Sequence, residues 1–174
     1  MVSTIVGEEL ERDPDTIRVT HGDSLEALPT RSPVASRMTI VLGTATSNAA
    51  REIKDKMIAI AAHDFGVAKE EVDYADSEFM VRGNPAQKLG WNEICHIAHK
   101  QFHRMPPGQE LGLQSYSVQQ VPGAGKLPDK DDKVPLYPCF SFQAHVPFIE
   151  IDPDTGKVKL LNYFITHDCG TPIN

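Results

Sequence analysis

The feature that most constrains the fold is a long apolar stripe in residues 36–65. Apolar residues recur there every three or four positions, at Leu42, Ala45, Ala49, Ile53, Met57 and Ile60. This spacing places them along one face of an α-helix. The small residues Gly43, Ala45 and Ala49 should let another element approach the helix closely. Gly66 is predicted to cap its C-terminal end, because glycine adopts the left-handed backbone found there without steric strain.

Shorter patterns around this stripe predict two further helices. Apolar and acidic residues alternate at helical spacing over residues 3–12, and Pro14 disfavours a helix that continues past Asp13. The second helix is predicted over residues 91–103, with three apolar residues facing inward: Ile94, Ile97 and Ala98.

Alternating and β-branched residues predict several strands. They cover residues 17–21, 71–74, 78–81, 139–151 and 158–165. A hairpin connection is predicted at residues 75–77 and turns at residues 83–85 and 152–157, where proline and glycine supply the required backbone angles. Helices and mostly antiparallel strands are mixed, so the predicted fold class is α+β.

These elements form two parts of one domain joined by a long loop. Residues 1–104 are predicted to form an α+β lobe that contains the long helix, and residues 137–174 an antiparallel hairpin segment of the same domain. The connection at residues 105–136 is rich in proline, glycine and charge. Loops of this length usually carry function or contacts.

Charge, hydropathy and cysteine usage exclude several classes of protein. The formal net charge is −7 and the lysines are scattered, so we expect no nucleic-acid binding, which needs a basic stripe. No apolar run reaches the ~18 residues of a membrane span, and the N-terminus has no recognisable secretory signal. The 3 cysteines lie far apart without a CxxC motif, which favours a cytoplasmic protein without a disulfide framework.

A pair of histidines has metal-binding spacing. His99 and His103 are four residues apart, which places both on one face of a helix. Neither a glutamate between them nor a third ligand in a motif accompanies the pair. We therefore favour exposed histidines near a subunit contact.

The C-terminal segment contains the residue types of a nucleophilic site. His167 and Cys169 could form a Cys/His pair, as in an independent hydrolase. Asp168 could not join them, because adjacent strand residues point to opposite faces. The favoured interpretation is a strand end at which Asp168 and Gly170 shape a turn.

The start of the long helix is a candidate anion site. Ser36 is predicted to be its N-cap residue, and the free N–H groups of a first helical turn favour an anion. Arg37 adds a fork of hydrogen-bond donors that suits phosphate.

Several stretches together resemble one family, the molybdenum hydroxylases of the xanthine dehydrogenase/aldehyde oxidase type. Residues 16–23 resemble a strand that ends in Gly-Asp, and Ala35-Ser36-Arg37 with Thr39 and Gly43 resembles a Gly-Ser-Arg-Ser-Thr segment with a later glycine. Residues 142–158 resemble the hairpin with Asp-x-x-Thr-Gly-x-Val. Residues 167–174 resemble the signature His-Asp-Cys-Gly-x-x-Ile-Asn. The resemblance covers nearly the whole chain and is most specific in its last part.

The resemblance implies part of the molybdopterin-binding domain of a larger subunit. Family members hydroxylate an aldehyde or an N-heterocycle, or oxidise carbon monoxide, with water as the oxygen source. In bacteria the molybdopterin often carries a cytosine dinucleotide. Electrons leave through iron–sulfur clusters and FAD, usually on partner subunits or domains. We therefore expect a small-molecule substrate and three kinds of partner: the remaining portion of the large subunit, an iron–sulfur subunit and a flavin subunit.

The resemblance also implies which residues face the cofactor. By its motif, Ala35, Ser36 and Arg37 would contact the dinucleotide end, with Val34, Met38 and Thr39 as further contacts. No residue of the chain matches the family's catalytic glutamate. We expect that glutamate after Asn174 and the glycine- and glutamine-rich loop of the metal pocket before Met1, so the chain would be a central fragment or split portion that is not catalytic alone.

One departure from the family motif leaves an alternative open. The family often has glycine where this chain has Pro33, Val34 and Ala35, and fewer glycines leave less room for a cofactor to approach the backbone. The alternative is a non-catalytic interaction module that has kept the fold and lost the cofactor.

Overall fold

The computed structural model of the chain describes residues 1–25, 36–121, 127–134 and 140–173. The chain divides into two compact units, Met1–Gln120 and Val121–Asn174. We call them the N-terminal unit and the C-terminal unit.

The N-terminal unit combines three α-helices with a three-stranded antiparallel sheet among its described residues. The helices are α1 (Val2–Leu10), α2 (Thr44–Phe65) and α3 (Trp91–Lys100), and a π-helical turn (Thr39–Gly43) leads directly into α2. The strands are β1 (Val72–Ala75), β2 (Glu78–Val81) and β3 (Asn84–Gly90), in the spatial order β1-β2-β3. The predicted α+β class is confirmed, and so is the long helix.

The core of this unit lies between α2, α3 and the sheet. Its largest fully buried side chains are Met57, Ile60, Phe79, Ile94 and Ile97. The prediction that α3 turns Ile94, Ile97 and Ala98 inward is confirmed, because all three are completely buried. The apolar stripe of the long helix is buried mainly in its C-terminal half, whereas Leu42 near the start is exposed.

Local backbone signals end α2 and close the first hairpin as predicted. Gly66 caps α2 in the left-handed conformation, with φ 71°. The β1–β2 connection uses Asp76 and Ser77, both left-handed at φ 51° and 64°. Two consecutive left-handed residues give the turn whose twist matches that of an antiparallel pair.

The turn predicted at residues 83–85 lies one position earlier in the structure. Residues 84–90, which were not predicted to be a strand, form β3. The chain reverses at Arg82 and Gly83, and Asn84 already pairs with Val81 as the first residue of β3. Pro85 is tolerated inside a strand here because the β2–β3 register shifts beside it and leaves residues 85–87 without a partner on β2, and because β3 lies at the edge of the described sheet.

Three other predictions need correction. Residues 17–21 pair with no strand among the described residues, since alternation shows only that a segment can extend. The first helix ends at Leu10 and not at residue 12, because Glu11 is left-handed and its N–H bonds Gly7. Helix α3 ends at Lys100, and a separate 3-10 turn follows at Phe102–Arg104.

The Glu9 carboxylate links helix α1 to the first half of the long helix. Arg51 donates to both oxygens of Glu9, through Nε at 2.9 Å and Nη2 at 2.8 Å, and the Ser47 hydroxyl donates to the same carboxylate at 2.5 Å. The close approach predicted at Gly43 is confirmed, because a Cβ there would lie 3.4 Å from Ile5 Cδ1.

We predict that Glu9 makes the N-terminal unit less stable in acid. The hydrogen bond from Arg51 lowers the pKa of Glu9 below its ordinary value of 4.5; burial opposes this, and Ser47 adds to it. A carboxyl whose folded-state pKa is depressed stabilises the fold above its unfolded-state pKa, and that contribution is lost as the pH falls through the folded-state pKa. Glu9→Gln should therefore lose less stability than the parent between pH 7 and pH 3 in urea unfolding followed by Trp91 fluorescence. Glu8→Gln, on the exposed side of the same helix, should keep the parent profile; equal profiles for all three proteins would contradict the prediction.

The described part of the C-terminal unit is dominated by one long antiparallel hairpin. Strand β4 (Phe142–Ile151) pairs with β5 (Val158–Asp168), with a bulge beside Phe148. The turn predicted at residues 152–157 is confirmed: the Asp152 N–H bonds Lys157 O at 3.0 Å and Gly156 takes φ 68°. Cys139, the predicted first residue of β4, lies outside the described residues.

Candidate functional site

The candidate site lies where the long helix begins. The first helical hydrogen bond runs from Val41 N–H to Arg37 O at 2.9 Å. Ser36 has a left-handed φ of 52°, whereas an N-cap residue is extended, so the prediction that Ser36 caps the helix is wrong. Val34 and Ala35 lie outside the described residues.

The first turn of the helix is wider than an α-helical turn. Residues Thr39–Gly43 form a π-helical turn, a rare geometry that often occurs at functional sites. Helix α1 contacts this turn through two side chains: Ile5 lies against Gly43, and the Thr39 hydroxyl donates to Met1 Sδ at 3.8 Å. The position of the site is therefore tied to the packing of α1.

The electrostatic character of the helix start favours an anion. The first N–H groups of a helix have no acceptor within it, and the helix dipole makes this end positive. Ser36 and Thr39 are exposed and Arg37 is half-buried, and each carries a side-chain donor. The first carboxylate after Ser36 in the sequence is Glu52, about four helical turns away. These donors can hold a phosphate or a pyrophosphate.

The predicted histidine pair is not on one helix. Helix α3 ends at Lys100, so His103 lies in the 3-10 turn that follows, while His99 lies near the end of α3 itself. The His99 ring packs under the loop, where a Cβ on Gly112 would lie 3.2 Å from His99 Cε1. Within the described ranges, no group of three or more potential ligands could hold a metal ion.

The residues of the proposed Cys/His pair have other contacts. His167 Nδ1 lies 3.1 Å from Gln143 Oε1 across the hairpin. The Asp168 carboxylate accepts the Gly170 N–H at 3.0 Å, and Gly170 has φ 74°. The predicted turn at Asp168 and Gly170 is confirmed. The Cys169 Sγ is directed to Gly170 O at 3.8 Å.

Sequence reasoning did not foresee how part of the long loop is held. Gln109 Nε2 bonds Lys56 O at 3.3 Å, Lys56 Nζ bonds Gln114 O at 2.7 Å, and Ser115 Oγ bonds Glu52 at 2.8 Å. These contacts fasten the loop to α2. The sequence gives little indication of these three hydrogen bonds, because the residues that form them are polar types common on any protein surface.

Comparison with known proteins identifies the family. The model of the molybdopterin cofactor-binding domain matches residues 1–174, the whole chain. The chain belongs to that family. The resemblance to molybdenum hydroxylase large subunits is thereby confirmed.

Relatives of known function are enzyme large subunits of this kind. The carbon monoxide dehydrogenase large chain of Hydrogenophaga pseudoflava is 30% identical over 170 residues, 98% of this chain. The nicotine 6-hydroxylase large subunit of Paenarthrobacter nicotinovorans is 24% identical over 160 residues, 92% of this chain. A crystal structure of Cu,Mo-CO dehydrogenase in its carbon monoxide reduced state matches 99% of this chain with a TM-score of 0.81 and 29% identity.

The chain spans about a fifth of the length of these relatives. It covers 19% of the carbon monoxide dehydrogenase large chain, 18% of the nicotine 6-hydroxylase subunit and 20% of the solved CO dehydrogenase chain. In the described part of the chain, no helix has the length and apolar character needed to span a membrane.

Proposed function

We propose that this chain forms one wall of the cofactor site in a molybdenum hydroxylase, and that residues 34–39 hold the dinucleotide end of a molybdopterin cytosine dinucleotide. The observation that carries the proposal is the start of the long helix, where Ser36, Arg37 and Thr39 place exposed or half-buried side-chain donors beside a positive helix end. The residues assigned to the site are Val34, Ala35, Ser36, Arg37, Met38 and Thr39.

The chain's own groups contribute binding and orientation. The N–H groups of the first helical turn and the Ser36 hydroxyl donate to phosphate oxygens, and the Arg37 guanidinium neutralises their charge. Thr39 already donates to Met1 Sδ, so its part is to keep α1 against the helix start. When bound, the cofactor supplies the oxidation of the substrate, with water as the source of oxygen.

The proposed enzyme also contains the rest of the large subunit and the electron-transfer subunits or domains. The names of the relatives describe large chains and subunits, which supports a hetero-oligomer. The family resemblance implies that the catalytic glutamate lies in the rest of the large subunit and that the iron–sulfur clusters and FAD lie on partner subunits or domains. The substrate is a small molecule of the class that these relatives oxidise. The scattered cysteines support a cytoplasmic location for the assembly.

We predict that Arg37→Ala weakens cofactor binding and lowers the molybdenum and phosphorus content of the assembly. The tagged chain is expressed with its genomic neighbours, and molybdenum and phosphorus are measured in the purified complex. The parent should co-purify with both elements. Loss of one charge-assisted hydrogen-bonding group, about 1.5–3 kcal/mol, should weaken phosphate binding roughly 10- to 100-fold. A second readout is the binding of cytidine diphosphate to the chain, followed by NMR shifts of the amides of residues 36–39.

Arg82→Ala is the matched control. It removes one arginine from the same unit, at an exposed ion pair with Asp73 on the β-sheet. Molybdenum content and cytidine diphosphate binding should match the parent. A complex without molybdenum or phosphorus, together with unshifted amides at residues 36–39, would overturn the cofactor assignment and leave the interaction module that has lost its cofactor.

A further inference from the structure

The C-terminal end of helix α1 is fastened to the rest of the N-terminal unit. The Glu9 carboxylate links it to the long helix, as described above. The Leu10 carbonyl accepts the Tyr74 hydroxyl of β1 at 2.7 Å, and just after the helix Arg12 Nη1 donates to Ser77 Oγ at 2.8 Å. These contacts to both α2 and the β1–β2 hairpin fix the position of α1 along the long helix.

The other end of α1 lies on the π-helical turn. Gly43 is buried there, and a Cβ at this position would lie 3.4 Å from Ile5 Cδ1. The half-buried Ile5 side chain therefore occupies the space over Gly43 that a side chain at position 43 would otherwise fill. Thr39, at the start of the same turn, donates to Met1 Sδ.

The π-helical turn sets the direction in which the residues before it point. It contains one residue more than an α-helical turn, and each residue of a helix adds about 100° of rotation. If residues 39–43 formed an α-helical turn instead, residues 36–38 would be rotated by about 100° around the axis of the long helix. The donors of Ser36 and Arg37 would then point elsewhere.

A π-helical turn needs contacts from outside itself. The geometry is rare because helices favour the shorter α-helical hydrogen bonds. Ile5 supplies such a contact, since its side chain packs on the turn at the residue that has no side chain of its own. Without Ile5 the turn would border a void and lose the dispersion contacts that favour its present shape.

We propose that Ile5 is a positioning residue for the phosphate-binding start of the long helix. Its contact at Gly43 holds the π-helical turn, and the turn directs the donors at residues 36–39. This inference rests on the proposed function, because that function assigns phosphate to those donors. Ile5 itself touches no phosphate and acts through the turn.

Three variants of the full chain test this role. Ile5→Ala removes the contact at Gly43, Ile5→Leu keeps an aliphatic side chain of the same size, and Ile58→Ala is the matched control. Ile58 is half-buried like Ile5 and packs against the core, about 22 Å along the long helix from Gly43. Amide shifts of residues 36–39 measure cytidine diphosphate binding, and the midpoint of urea unfolding measures stability. Molybdenum and phosphorus are measured in complexes purified with the genomic neighbours.

The variants should separate binding from stability. Ile5→Ala should raise the Kd for cytidine diphosphate about 5-fold or more, the lower end of the coupling between linked sites. It should also shift the amides of residues 39–43 without ligand and lower the molybdenum content of the complex. Ile5→Leu should bind like the parent. Ile58→Ala should lower the midpoint of unfolding and keep the parent's affinity and molybdenum content.

Three results would overturn the positioning role: parental affinity in Ile5→Ala, equal losses of affinity in Ile5→Ala and Ile58→Ala, or unshifted amides at residues 39–43 in Ile5→Ala. If Ile5→Ala does not fold, Ile5→Val takes its place, because it removes only the Cδ1 atom that approaches Gly43. Failure of the proposed function has a different signature. In that case the parent itself binds no cytidine diphosphate and its complex contains neither molybdenum nor phosphorus.

Discussion

Phe79→Ala is expected to lower the free energy of unfolding of the N-terminal unit by roughly 3–5 kcal/mol. Phe79 is completely buried on β2, and its ring packs on Tyr74 with centroids 4.5 Å apart. The core around it comes from α2, α3 and β3, elements held by their own contacts, so the cavity left by alanine cannot collapse freely. The midpoint of urea unfolding, followed by the fluorescence of the single tryptophan Trp91, measures the loss.

Two further variants serve as comparisons for Phe79→Ala. Phe102→Ala makes the same chemical change at a side chain that is 51% exposed, and it should cost less than about 1 kcal/mol. Phe79→Leu keeps part of the buried volume and should fall between the two, which keeps the experiment informative if Phe79→Ala does not fold. Equal losses at positions 79 and 102 would contradict the assigned core.

Gly7→Ala is expected to destabilise the same unit by about 1–3 kcal/mol, although alanine is ordinarily the better helix residue. The chain returns across Gly7 after α1 ends. A Cβ at this position would lie 2.7 Å from Arg12 O and 2.9 Å from Pro14 Cγ. The clash involves backbone, so the chain after Leu10 must shift, and the N–H bonds that Glu11 and Arg12 make to Gly7 O would be strained. Urea unfolding with Trp91 as the probe measures the effect.

Gly43→Ala is the control within the same helix pair. Its Cβ would meet Ile5 Cδ1 at 3.4 Å, an ordinary contact with the flexible end of a side chain. We expect it to leave stability unchanged or to raise it by up to about 1 kcal/mol through helix propensity. If the Gly7→Ala and Gly43→Ala proteins are equally stable, the assigned close approach of Arg12 and Pro14 to Gly7 is wrong. Because α1 also contacts the π-helical turn, Gly7→Ala should further disturb the amides of residues 36–39.

The elements predicted correctly from the sequence are those with local causes. The long helix follows from apolar residues at a period near 3.6, its end from Gly66, and the turn at residues 152–157 from proline and glycine chemistry. The family resemblance likewise came from short motifs in the right order. Each of these signals is complete within a few consecutive residues.

The wrong predictions depended on partners distant in sequence. Residues 17–21 have strand-forming side chains, but a strand also needs a neighbour to accept and donate its hydrogen bonds. Strand β3 was missed because Pro85 is typical of a turn, and proline is allowed there by a bulge in the β2–β3 register and by the place of β3 at the sheet edge. The capping prediction for Ser36 assumed a regular helix start, and the structure has a left-handed residue followed by a π-helical turn.

The sequence by itself determined the α+β class, the long helix that bears the candidate site, the donors at its start and the family to which the chain belongs. Tertiary structure decided where α1 and α3 end, which extended segments become strands, and how the start of the long helix is shaped against α1. The physical reason is the range of the interactions. Periodicity and turn chemistry act between neighbours along the chain, whereas helix ends, sheet edges and close helix contacts are set by atoms that only folding brings together.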